Sequence, residues 1–345
     1  MDVAQWTSSF INALYRLTTG FIDATHVPNY ETLSEADWLD IIQIAKTKFR
    51  LRDDAEIPTR EQMQTLYCDA PVSKDCTTAA DRRLASFIHG VMVSHLGEHF
   101  NNGSVKTWKE YFTDICSIGG ATPILRKNSD AASLRLLRSP AHSKVPIVIV
   151  ANHMGLLDGF ALGALLGKAS VLAGTTAFKT PFFGKVLEAT DSIEVDADAK
   201  RDPIALHAKV ANRLAGGCKL LVFPESTAQA GNQVVRFATG PFTHKAIYVP
   251  ISIKMPAHLR MTCGNMTIAK TILATKIESV IPVQVLAMYD NRDERYSPAE
   301  LRDKCQRDIA TSLRWPIRND LDHKTFLPVA MAYYRWRMLK RETSM

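Results

Sequence analysis

Apolar positions along this chain change their spacing near residue 144. Upstream they recur at helical intervals. Ser34-Glu35-Ala36-Asp37 has the form of an N-cap with an acidic third residue, and Trp38, Ile41, Ile42, Ile44 and Ala45 follow it. A second helical stretch spans 82–96. Between the two, residues 51–80 are polar and irregular and contain Pro58 and Pro71. Gly119-Gly120 and Pro123 read as a boundary or a long connector.

From 144 onward, short β-branched runs alternate with amphipathic segments. Val145–Val150 is a dense apolar strand that ends at Ala151-Asn152. Further strands are expected at 170–173, 192–195, 220–223, 247–253 and 281–288, with helices at 158–166 and 182–189. Asp202-Pro203 pairs a cap with a proline at the first helical position, and the helix it opens closes at Gly216-Gly217. Ser297-Pro298-Ala299-Glu300 is a capping box with proline in the same place, and its helix runs towards Leu313. This alternation predicts an α/β domain whose mixed sheet is mostly covered by helices. The expected organisation is a helical region over 1–120, the α/β domain over 121–325 and a basic, aromatic helix over 326–345. That last segment is either an interfacial membrane helix or a final helix docked on the domain.

Composition narrows the choices of partner. The chain has 345 residues, 46% of them apolar, and a formal net charge of +7. Such a surplus suits an anionic membrane surface or a phosphate-bearing substrate. Nucleic acid is not expected, because the basic residues form no long cluster and no zinc-finger or GxxG clamp is present. The six cysteines form no CxxC and no zinc-site spacing, so they read as reduced thiols facing the cytosol, with no metal. The first twenty residues lack the pattern of a secretory signal, and no apolar run approaches the ~20 residues of a spanning helix. Membrane contact is therefore expected to be peripheral, on the cytoplasmic side.

Two elements carry chemistry. Asn152-His153-Met154-Gly155-Leu156-Leu157-Asp158 lies where a buried strand gives way to a helix. A histidine there can take a proton from a hydroxyl, and a carboxylate on its other ring nitrogen would fix the tautomer. Such a spacing alone also arises by chance, as a helix cap beside a satisfied histidine. Val222-Phe223-Pro224-Glu225-Ser226-Thr227, followed by Arg236-Phe237-Ala238-Thr239-Gly240, is a second strand exit. It is either an ordinary turn or a polar loop able to meet hydroxyl, phosphate or carbonyl oxygens.

Together these elements resemble the glycerolipid acyltransferase family, which contains glycerol-3-phosphate and lysophospholipid acyltransferases. His153 and Asp158, with Asn152 before them, match its first motif. Lys179, Pro181 and Gly184, with Ile193, Val195 and Asp196, are similar to the second. Phe223-Pro224-Glu225-Ser226-Thr227 matches the third, and Val249-Pro250-Ile251 the fourth. The resemblance covers about 144–255. It implies that His153 is the general base and that Asp158 orients it. It also implies that Asn152, Glu225, Ser226 and Thr227 bind the acceptor, and that Lys179, Arg201 and Arg236 face phosphate. The implied co-substrate is acyl-CoA or acyl carrier protein, with no further cofactor. The implied acceptor is a lysophospholipid or a glycerol-phosphate-like molecule.

Several positions depart from the family pattern. Ala197 stands where arginine often follows the second motif, and Ser226 replaces the usual glycine of the third. Ala228 and Ala238 occupy positions that often hold arginine and lysine. These departures point to the lysophospholipid branch rather than to a phosphatidate-forming member. Glycerol 3-phosphate or another acceptor, or a catalytically silent lipid-binding scaffold, are the alternatives.

Overall fold

The computed structural model describes residues 34–55, 57, 59, 107–118, 121–138, 144–155, 157–179, 181–195, 203–226, 228, 232–256, 259, 279–320 and 332. The expected helix at 82–96 lies outside them, as does the tail 326–345 apart from the buried Ala332. Helix α1 is Glu35–Phe49. Ser34 caps it by accepting the Asp37 N–H at 3.1 Å, and Trp38, Ile41 and Ala45 form its buried stripe.

Helix α2, Trp108–Ile118, precedes strand β1, Ala121–Leu125. Helix α3 is Ala131–Arg138 and strand β2 is Ile147–Ala151. Helix α4, Leu157–Leu166, leads to β3, Ser170–Gly174. Two short helices follow, α5 at Thr175–Lys179 and α6 at Pro181–Ala189, and then β4 at Ile193–Val195. Helix α7 is Pro203–Ala215, β5 is Lys219–Val222 and β6 is Val234–Val235. Strands β7, Ile247–Ile253, β8, Ser279–Val285, and β9, Tyr289–Asp290, come next. Helix α8, Pro298–Leu313, and the short β10, Ile317–Arg318, complete the described elements.

The main sheet has the order β1-β8-β7-β2-β5-β3-β4, with β9 on β7. All its pairings are parallel except β7 with β8 and β7 with β9, so the sheet is mixed, as the sequence predicts. Strand β2 sits between β7 and β5, and all five of its residues are buried. That placement explains its unbroken apolar run, since both faces are covered. Ile147, Ile149 and Ala151 join the core beneath α2 and α4. Val148 and Val150 join the opposite core, beneath α7 and α8.

Helix α4 is apolar almost all round because it is enclosed, with eight of its ten residues buried. Helix α2 closes over it. Tyr111, Phe112, Ile115 and Cys116 enter the same core as β2 and α4, so residues 108–118 pack as part of the α/β layer. A Cβ on Gly163 of α4 would stand 2.2 Å from the Phe112 ring, so glycine sets how closely the two helices approach.

Prolines mark two places where sequence and structure differ in emphasis. Pro123 reads as a connector but lies in β1, an edge strand, where a missing N–H is tolerated. Pro250 lies inside the central β7. It falls between the residues that pair with β9, Ile247 and Tyr248, and those that pair with β8, Ile251 to Ile253. The strand changes partner there, and the carbonyl of Pro250 still accepts the Leu286 N–H at 2.9 Å. The expected strand 281–288 is strand only as far as Val285, as part of β8; residues 286–288 are not strand, and β9 follows at Tyr289–Asp290.

Helix α8 has the capping box that its sequence announces. Ser297 Oγ accepts the Glu300 N–H at 3.3 Å, and Glu300 Oε2 accepts the Ser297 N–H at 2.8 Å. Leu301, Cys305, Ile309 and Leu313 press its buried face on the sheet. Among the described residues no helix is long and apolar enough to cross a membrane.

Candidate active site

Strand β2 ends at Ala151, and the next residue fixes the chain that leaves it. Asn152 is 1% exposed. Its side-chain amide donates to the Ile253 carbonyl at 2.9 Å, and its oxygen accepts the Ile253 N–H at 2.8 Å. Both ends of the amide are thus committed to the end of β7. The resemblance puts Asn152 among the substrate-binding residues. The structure makes it a clasp between two strand ends, with its polar atoms already satisfied.

His153 follows, with its side chain 26% exposed. Its Nδ1 lies 2.9 Å from Asp158 Oδ2. Asp158 sits in the first turn of α4 with a fully buried side chain, and the same oxygen accepts the N–H groups of Met154 at 2.5 Å and Gly155 at 2.8 Å. Three donors therefore converge on one carboxylate oxygen, and the loop 153–155 is wound around it. With Asp158 as acceptor, the imidazole proton resides on Nδ1 and Nε2 carries the free lone pair. The Phe223 ring stacks on the imidazole at a centroid distance of 4.5 Å and an angle of 25°. Rotation of His153 is thereby limited from the side as well as through its nitrogen.

Glu225 lies behind the histidine. It is 1% exposed, its Oε2 accepts the His153 backbone N–H at 3.0 Å, and the Val235 backbone N–H also faces its carboxyl. Burial pushes its pKa well above the usual carboxylate range, and the neighbouring Asp158 charge pushes the same way. The two backbone N–H groups oppose this less strongly. Glu225 thus braces the histidine loop, and its burial favours the neutral acid. The resemblance assigns it to the acceptor glycerol; here Oε2 faces backbone, and Oε1 is buried with no hydrogen-bond partner among the described residues. Ser226, next in the chain, has φ +61°, a conformation that L-residues adopt at a cost and glycine adopts freely. That explains why glycine is usual at this position in the third motif. The turn is closed by the Ser226 N–H on the Phe223 carbonyl at 2.9 Å. The Ala238 N–H on the Pro224 carbonyl, at 2.8 Å, ties in the later part of the motif.

An apolar cavity of about 330 Å³ opens against His153 and Ser226. It runs between α4, β3 and α6, with Phe112, Phe160, Leu172, Val186 and Phe223 among its walls. Gly159, Gly163 and Gly167 line it too; a Cβ on Gly159 or Gly167 would meet no atom within 4 Å, whereas the place beside Gly163 is taken by the Phe112 ring. Gly184 permits the approach of α6 to α5, since a Cβ there would stand 2.1 Å from the Phe178 carbonyl oxygen.

The structure thus brings together Asn152, His153, Asp158, Glu225 and Ser226. Lys179 is the last residue of α5, with its side chain outside the described part, and Arg201 and Thr227 also lie outside it. Arg236 is exposed and lines a different cleft, with Arg302 and Arg307 of α8. Sequence reasoning did not single out Phe112, Gly163 or Val235 as parts of the site. Their roles arise from contacts between distant segments, and only the Phe223 stack was within reach, from its place beside Glu225.

Parts of the chain are similar to known proteins. Residues 134–254 match the family model described as Acyltransferase. A lyso-ornithine lipid O-acyltransferase of Brucella abortus is 30% identical over 108 residues, 31% of this chain and 40% of that protein. A lysophospholipid acyltransferase of Arabidopsis thaliana is 23% identical over 186 residues, 52% of this chain and 34% of its own length. Lysophosphatidylcholine acyltransferase 2 of Rattus norvegicus is 26% identical over 189 residues, with shares of 50% and 34%. The matched part therefore spans two fifths or less of these relatives. The crystal structure of the 1-acyl-sn-glycerophosphate acyltransferase PlsC from Thermotoga maritima superposes with a TM-score of 0.46 at 15% identity, covering 69% of this chain and 97% of that one. Residues 134–254, which hold the histidine, its aspartate and the buried glutamate, are thus the part of the chain that is similar to the acyltransferases.

Proposed function

We propose that this protein transfers a fatty acyl group from the thioester of acyl-CoA, or of acyl carrier protein, to a hydroxyl of a lysophospholipid or related glycerolipid. The observation that carries the reading is a braced base on the wall of an apolar cavity. His153 is held by Asp158 and Phe223, and the cavity beside it is lined by glycines and hydrocarbon.

In this reading Nε2 of His153 takes the proton of the acceptor hydroxyl as its oxygen attacks the thioester carbonyl. Asp158 stabilises the imidazolium that forms. The tetrahedral intermediate collapses, the carbon–sulfur bond breaks, and the imidazolium returns the proton to the departing thiolate. The fatty chain of the donor occupies the apolar cavity, where its burial is favourable. Membrane contact is peripheral and on the cytoplasmic side, and removal of 326–345 should lower binding to anionic vesicles.

The deciding experiment is a panel of long-chain acyl-CoA with lysophospholipids, lyso-ornithine lipid and glycerol 3-phosphate as acceptors. Turnover of a lysolipid, reduced roughly 10²–10⁴-fold by His153→Ala in a protein that still folds, is expected. Turnover of none, or a variant as active as the parent, would overturn the reading. Glycerol 3-phosphate used in preference to every lysolipid would move the acceptor to the glycerol-phosphate branch.

A further inference from the structure

Helix α8 presents two faces. One is buried on the sheet through Leu301, Cys305 and Ile309. The other carries Arg302, Asp303, Gln306 and Arg307, which the helical spacing brings side by side. These four residues form one wall of a cleft of about 430 Å³, and Arg236, Ile317 and Asn319 complete it.

The charges in this cleft are unbalanced. Arg302 is committed, with Nε on Asp303 Oδ1 at 2.7 Å and a further nitrogen 3.3 Å from Thr239 Oγ1. Asp303 is the only carboxylate among the described lining residues, and it offsets one of three guanidinium groups. Arg236 and Arg307 are exposed and have no ionic or hydrogen-bonding partner among the described residues. Asn319 spends its oxygen on Gln306 Nε2 at 3.2 Å, which leaves its NH₂ as a donor at the rim. Two free guanidinium forks and an amide donor facing one space are what an oxyanion needs.

The cleft is also wired to the histidine. Gln306 is 3% exposed, and its Nε2 donates to the Val235 carbonyl at 2.7 Å. The Val235 N–H faces the carboxyl of Glu225, which holds the His153 N–H. A single residue, Val235, thus lies between the floor of the cleft and the brace of the base.

We infer that the cleft formed by Arg236, Arg302, Arg307 and Asn319 binds a phosphate ester of a substrate. That ester is either a phosphate of the coenzyme A donor or the head-group phosphate of the acceptor. Only the identity of the molecule that carries the phosphate rests on the acyl-transfer reading; the affinity of the cleft for phosphate does not.

The test uses the full chain and the variant R236A/R307A, whose changes are confined to exposed side chains, with a thermal melt as the folding control. Inorganic phosphate, coenzyme A and glycerol 3-phosphate are each titrated calorimetrically into both proteins. The expected result is roughly tenfold or greater weakening of at least one phosphate probe in the variant, with partial recovery in Arg307→Lys. Weakening of coenzyme A alongside a raised acyl-CoA KM assigns the donor. Weakening of glycerol 3-phosphate alongside a raised lysolipid KM assigns the acceptor. Equal affinities in the two proteins, or no binding of any probe by the parent, would overturn the proposal. If the acceptor panel finds no acyl transfer, the titrations still decide the cleft by themselves.

Discussion

The backbone N–H of His153 and the carboxyl of Glu225, 72 positions apart in sequence, meet at 3.0 Å in the interior. Burial favours the neutral form of Glu225, so an isosteric amide should serve in its place. Glu225→Gln should leave turnover at pH 7 within a few-fold of the parent, whereas Glu225→Ala, which strands the His153 and Val235 N–H groups, should cost about 1–3 kcal/mol of stability. The pH dependence follows from linkage. The folded pKa is raised above the unfolded value, so the stability from this group is full below the unfolded pKa and is lost as pH rises through the folded one. Urea midpoints at several pH values should show Glu225→Gln gaining on the parent as pH increases. Parallel curves would show that the carboxyl does not titrate on unfolding.

Asp158 has a different task, since three donors converge on its Oδ2 and one of them is the imidazole. Asp158→Asn keeps the shape but removes the charge that favours the imidazolium, and it frees the ring to take the other tautomer. We expect kcat to fall roughly 10³-fold with the KM of the acyl donor little changed. A comparable loss carried by KM alone would make Asp158 a structural residue only.

Ser226 holds a left-handed backbone conformation, with φ at +61°. Ser226→Gly should be neutral to stabilising by up to about 1 kcal/mol, because glycine adopts that region without strain. Ser226→Val should destabilise and lower activity, since a β-branched residue fits that region worst. Thermal midpoints of the two variants provide the comparison.

Gly163 and Phe112 share one space where α2 crosses α4. Gly163→Ala should destabilise by about 1–3 kcal/mol through overpacking. In a Phe112→Ala background the same change should cost much less, giving a coupling energy measurable by a double-mutant cycle. Both residues line the apolar cavity, so the single variants should also shift the preference for acyl chain length.

Much of the α/β layer is legible in the order of residues. The buried run before Asn152, the Pro203 helix start and the Ser297 capping box each rest on local chemistry, and each stands where that chemistry puts it. Strand β1 is hidden because Pro123 mimics a connector, and only its edge position in the sheet explains the proline. The pairing of His153 with Asp158 is local and readable. The meeting of Glu225 with the His153 backbone is not, because it depends on β2 and β5 lying side by side. The arginine cleft is half legible: residues 302, 303, 306 and 307 share a helix face by spacing, but Arg236 joins them only through the fold.

The Asn152 clasp on Ile253 has a consequence for how such a chain can vary. Strands β2 and β7 run in register, and the amide measures the end of one against the end of the other. A residue inserted in or deleted from either strand would move Asn152 off its partner and carry the histidine with it. Only a matching change in the other strand would restore the pair. A change in the length of either strand should therefore need a matching change in the other, and the loop 153–155 that leaves β2 is held to length in turn by the Asp158 carboxylate.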